Sequence, residues 1–185
     1  MRTLSHPVRS VLVLAVTAAG FAVSFVLLER AIGGASPWLG LMGVFYFLGL
    51  TKVAEPLFLI RMPPTLRTVR TWEIDGTAYR HCLVPAFGKL LRETPLRFLN
   101  LSVYLGRRHA DLIGVSRQVE AAEAAHFWAA VLFTPYVAWV GWSGRPREAA
   151  ILLGVQIVLN IYPILHLRTV RGRMDRLLKR PRLRT

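Results

Sequence analysis

Three side chains capable of acid and base chemistry recur one helical turn apart: Glu120, Glu123 and His126. At about 100° per residue they fall within an arc of about 120° of one helix face, so they can converge on a single site. A histidine beside carboxylates can act as a general base, with the carboxylate fixing its tautomer and stabilising the imidazolium that forms. Ionisable groups near membrane depth are costly to bury, which favours a functional reading. Two other readings stay open. The carboxylates can be solvated with His126 at headgroup level, or Glu-x-x-His can ligate a metal as it does in di-iron bundles. Such a centre needs a second motif, and His6, His81, His109 and His166 show no paired spacing, so no metal is expected.

A second cluster lies further on: Asn160, Tyr162 and Pro163, then His166, Arg168, Arg171 and Arg173. Pro163 cannot donate to the carbonyl of Leu159, which leaves an acceptor for Asn160 or a neighbouring helix to satisfy. Asn160 and Tyr162 can therefore serve helix packing at a kink, or donate hydrogen bonds to a developing oxyanion. The arginines can anchor the chain end on anionic lipid, or grip phosphate groups of a cytosolic donor such as coenzyme A. Lys52 and Glu55, one turn apart beside Pro56, read as a mutually neutralising pair. Trp72 to Gly76 with Tyr79 reads as a turn flanked by interfacial aromatics. Cys82 is the single cysteine, which excludes an internal disulfide, and it has no nearby base in sequence.

These groups must be positioned by apolar helices. Of 185 residues, 54% are hydrophobic and 18% charged, with a mean hydropathy of +0.42, a balance unlike that of a soluble domain. Four apolar runs approach the ~20 residues a bilayer core demands: residues 11–28, 37–60, 125–142 and 149–167. The first can also be read as a signal peptide, but its run to Leu28 exceeds the roughly 7–15 apolar residues of that signal. Lys and Arg number 24 against 10 Asp and Glu, a net charge of +14. The bases sit between long apolar runs, which points to a membrane surface and away from nucleic acid. They also alternate, with two before the first span, one after it, ten between spans two and three, two in the next loop and eight after the fourth. Sorting of positive charge to the inside then places both termini in the cytoplasm. The expectation is an all-α membrane protein, one domain over 1–185, with four transmembrane helices. Residues 61–124 form a cytoplasmic amphipathic segment, with Phe87, Leu90, Leu91, Phe98 and Leu99 among Lys89, Arg92, Arg97, Arg107 and Arg108, and 168–185 form a basic tail.

Taken in order, three motifs resemble the glycosyl-4,4'-diaponeurosporenoate acyltransferase family, small bacterial membrane acyltransferases of carotenoid biosynthesis. They are Trp72-Glu73-x-x-Gly76-x-x-Tyr79 with Phe87 and Lys89, Ala122-Glu123-x-x-His126 ahead of Pro135 and Trp139, and Asn160-x-Tyr162-Pro163 before Arg168-x-x-Arg171-x-Arg173. Leu167 stands where the family pattern usually has glutamine. The resemblance implies transfer of a fatty acyl group from acyl-CoA or acyl carrier protein to a sugar hydroxyl of a lipid or carotenoid glycoside, at the bacterial plasma membrane. In that scheme His126 is the base, Glu123 orients it, Glu120 adds charge or meets the sugar, and Asn160 or Tyr162 donates to the oxyanion. Arg168, Arg171 and Arg173 hold donor phosphates. The alternative is a non-catalytic membrane protein that binds or scaffolds lipid- or carotenoid-synthesising enzymes, in which these clusters serve packing and topology only.

Overall fold

The computed structural model describes residues 6–34, 36–54, 61–75, 77–94 and 112–179. Every element among them is helical: α1 (His6–Ile32), α2 (Pro37–Ala54), α3 (Pro64–Arg67), α4 (Thr71–Asp75), α5 (Thr77–His81), α6 (Val84–Glu93), α7 (Leu112–Trp142), α8 (Pro146–Gln156), a π turn over Ile157–Ile161, and α9 (Tyr162–Lys179). Among the described residues three stretches are long and apolar enough to cross a membrane, Val8–Ile32, Ile113–Trp142 and Pro146–Leu178, consistent with membrane association. The second expected span, 37–60, corresponds to α2, whose apolar part, Trp38–Thr51, is shorter than the other three. The rest of that expected span, residues 55–60, lies outside the described residues, as does the Lys52 and Glu55 pair. So do Arg97, Phe98, Leu99, Arg107 and Arg108 of the expected amphipathic segment.

The helices run past the apolar stretches that signal them. A 31-residue α7 is ~46 Å long at the usual rise, well over a hydrocarbon core of ~30 Å. Its polar first half is rich in Glu, Gln and Ala, strong helix formers that extend the helix once their charges find partners. Trp72 to Asp75 is not a turn, because those residues form α4. Glu73 accounts for this: its carboxylate reaches back to the backbone N–H of Arg70 (2.6 Å), one arm of a capping box.

The helices fall into two compact units, residues 1–60 with 125–161 and residues 61–124 with 162–185. In the first unit, Val44, Phe133, Val140 and Leu152 form the buried core. Glycine sets how closely α2 and α8 approach, since a Cβ on Gly40 would lie 1.9 Å from the Leu152 side chain. Against α1, Phe21 stacks on Tyr46 at 4.7 Å, and Ser24 shares a hydrogen bond with the Tyr46 hydroxyl (2.7 Å). The turn after α1 closes on Gly33 at φ +82°, where a side chain would be strained. In the second unit, α9 packs against α4 and α6. Val84, Gly88 and Leu91 of α6 are buried while Lys89, Arg92 and Glu93 are exposed. Gly88 is again a contact glycine, because an added Cβ would sit 2.7 Å from the His166 ring.

Candidate functional site

Within the first unit, the interior side chains that carry chemistry come from α7, the end of α8 and the π turn. Pro163 lacks the N–H that would close the turn on Leu159, and the helix widens into the π turn just before it. Asn160 lies in that widened turn and is fully buried. The Asn160 amide nitrogen donates to Gln156 Oε1 (3.1 Å). Gln156 Nε2 in turn donates to the Ala130 carbonyl (2.9 Å) and to Thr134 Oγ1 (3.0 Å) on α7. On its other side, Asn160 Oδ1 lies 3.4 Å from Nδ1 of His126. His126, Asn160 and Gln156 thus form one chain of polar groups inside apolar helices. Gln156 carried no expectation from the sequence, although a buried amide one turn from Asn160 in an apolar run was the available signal.

Within the second unit, four charged side chains are buried together. Arg168 grips Glu73 in bidentate fashion, Nε to Oε1 at 2.7 Å and Nη2 to Oε2 at 2.9 Å. Its Nη1 donates to Glu123 Oε1 (2.9 Å) and to the Leu66 carbonyl (2.6 Å), and Nη2 also donates to the Thr68 carbonyl (3.0 Å). A guanidinium has five N–H groups, and all five of Arg168 are engaged by protein oxygens. Arg171 pairs with Glu123 Oε2 at 2.7 Å and donates to the Arg67 carbonyl. The Tyr79 hydroxyl donates to Glu73 (2.8 Å). Burial works against ionisation of Glu73, but donation from Arg168, the Arg70 N–H and Tyr79 overcomes it and holds the carboxyl at about 2. Burial, reinforced by the Glu73 carboxylate, pushes the Tyr79 hydroxyl well up.

Glu123 and His126 do sit one turn apart on α7. The carboxylate of Glu123 meets Arg168 and Arg171, and Asn160 lies against the ring of His126. Glu120 forms an ion pair with Arg67 (2.5 Å). Tyr162 packs its ring on Phe87 at 5.4 Å. Of the three arginines expected to hold a donor, Arg168 and Arg171 are buried by the contacts above and Arg173 is exposed. Glu73 and Tyr79, read from sequence as part of an interfacial turn, are members of the buried cluster. Their partner Arg168 is 95 residues from Glu73, beyond the reach of any local pattern. Among the described residues no group of His, Cys, Asp and Glu is arranged to hold a metal ion.

Residues 63–180 match the family model of glycosyl-4,4'-diaponeurosporenoate acyltransferase, well over half of the chain, and the chain belongs to that family. No curated protein and no solved structure matches it. The matched stretch contains α3 to α9, and therefore both buried polar clusters, whereas α1 and α2 lie before it.

Proposed function

We propose that this protein is a membrane acyltransferase that moves a fatty acyl group from a cytosolic thioester, acyl-CoA or acyl carrier protein, to a sugar hydroxyl of a glycosylated carotenoid or lipid. His126 is its general base, and both termini lie in the cytoplasm. The observation that carries the reading is the hydrogen bond between His126 Nδ1 and Asn160 Oδ1 in helices long and apolar enough to cross a membrane, within the stretch matched by an acyltransferase family. An oxygen facing Nδ1 can only accept, so Nδ1 bears the proton and Nε2 has the lone pair a base requires. In the reaction, the sugar oxygen attacks the thioester carbonyl while its proton passes to Nε2. As the tetrahedral intermediate collapses, the carbon–sulfur bond breaks, the ester carbon–oxygen bond remains, and the imidazolium returns the proton to the departing thiolate. No acyl-enzyme is needed.

The buried guanidiniums of Arg168 and Arg171 brace the second unit, and the exposed Arg173 supplies positive charge for donor phosphates. The test is purified His126→Ala in vesicles with a long-chain acyl-CoA and a carotenoid glycoside. Loss of a general base lowers kcat by about 10²- to 10⁴-fold. The expected result is a fall in that range with thermal stability close to the parent's. Turnover at the parent rate would return His126 to a packing role and favour the scaffold alternative.

A further inference from the structure

The tautomer of His126 is set at a distance, and its setting can be traced to an atom that cannot change role. The Ala130 backbone carbonyl is an acceptor in every state of the protein. Gln156 must turn its amide nitrogen toward it, and the second proton of that nitrogen goes to Thr134 Oγ1. The Thr134 hydroxyl donates its own proton to the same carbonyl (2.7 Å) and is therefore an acceptor for Gln156. With its nitrogen committed, Gln156 can offer only Oε1 to Asn160, which must answer with its amide nitrogen. Asn160 is then left with Oδ1 toward the imidazole. Each link has one allowed polarity, and a flip of either amide would set two donors or two acceptors against each other in an interior where an unmade hydrogen bond is costly.

We infer that Gln156 is a positioning residue, one that acts through Asn160 to hold His126 in its Nδ1–H form with Nε2 as the accepting nitrogen. This rests on the reading of His126 as the base, and it adds the element that keeps the base in working order. Asn160 by itself does not suffice. Its amide can present either end to the ring, and Gln156 removes that choice.

The experiment is nitrogen-15 spectroscopy of full-length protein labelled at histidine, in lipid nanodiscs above the titration range of histidine, with the His126 signals assigned by their loss in His126→Ala. The parent should show a single tautomer at His126 with the proton on Nδ1. Gln156→Met keeps the side-chain length but removes both hydrogen-bonding ends. It should give a mixture of tautomers and a kcat lower by about 10- to 10³-fold, with the KM for the acyl donor unchanged, because a wrong tautomer impairs proton transfer and not donor binding. Thr134→Val leaves the Ala130 carbonyl in place and should preserve the tautomer. An aspartate has acceptors only, so Asn160→Asp should hold Nδ1–H without help, and adding Gln156→Met to it should change the tautomer no further. That double variant also separates orientation from a folding defect in Gln156→Met. An Nε2–H tautomer in the parent, or an unchanged tautomer in folded Gln156→Met, overturns the inference. A tautomer that responds to Gln156 in a protein whose His126→Ala form keeps full turnover supports the orienting chain and overturns the base assignment alone.

Discussion

The first unit keeps His126, Asn160 and Gln156 in line by hydrogen bonds inside apolar helices, whereas the second buries two carboxylates against two guanidiniums. The two clusters pair their members by different means and to different ends. Neutral amides avoid the desolvation cost of charge, and because each has a donor end and an acceptor end, a chain of them transmits a direction. A guanidinium has only donors, and a carboxylate only acceptors, so their contacts carry no such polarity. What they supply is geometric definition: Arg168 ties α4, α7, α9 and the carbonyls of Leu66 in α3 and Thr68 just after it to one planar group. On the proposed reading one arrangement prepares a reactive atom, while the other fixes helices too short to be stable alone.

The contrast predicts how each unit fails. The largest effect on folding should come from Arg168→Leu, which strands Glu73 and leaves Glu123 with Arg171 only. Removing one partner of a buried ion pair typically costs about 3–5 kcal/mol. Thermal denaturation in detergent should record a loss on that scale, and a melting point equal to the parent's would refute the bracing role.

A smaller effect follows from pH. Glu73 ionises at about 2 in the folded protein against an ordinary value of 4.5. Its contribution to stability is therefore complete above about pH 4.5 and is lost as the pH falls from there toward 2. The stability at stake is about 3 kcal/mol. Glu73→Gln should flatten this acid limb relative to the parent, and an unchanged limb would place the acid sensitivity elsewhere. The smallest effect belongs to Tyr79→Phe, which removes one donor from a carboxylate that keeps three others, at about 1 kcal/mol. Activity assays sharpen the comparison, since Tyr79→Phe should leave kcat unaltered while Gln156→Met lowers it.

How far these features were legible in the sequence depended on the distance between partners. The runs at 11–28, 125–142 and 149–167 each lie inside a long helix, because hydropathy is a local property that needs no partner. The true start of α7 and the true end of α9 were not visible, since those segments make their contacts with α3, α4 and α6. His126 and Asn160 could be picked out as polar groups in apolar surroundings, but their pairing spans 34 residues and had to be found in three dimensions. Glu123 was placed beside His126 by helical spacing, and that spacing holds. Spacing alone does not reveal the contacts of Glu123 with Arg168 and Arg171, which come from far along the chain.

The two buried carboxylates and two buried guanidiniums also cancel, so the whole net charge of +14 is carried by side chains outside their cluster. Seen from any neighbouring molecule, the protein is a polycation whose charge the interior does nothing to dilute. Its adhesion to anionic vesicles should weaken steeply as salt shortens the reach of those charges, to about 8 Å at physiological ionic strength. A low-salt preparation will therefore hold on to acidic lipids that a high-salt one sheds.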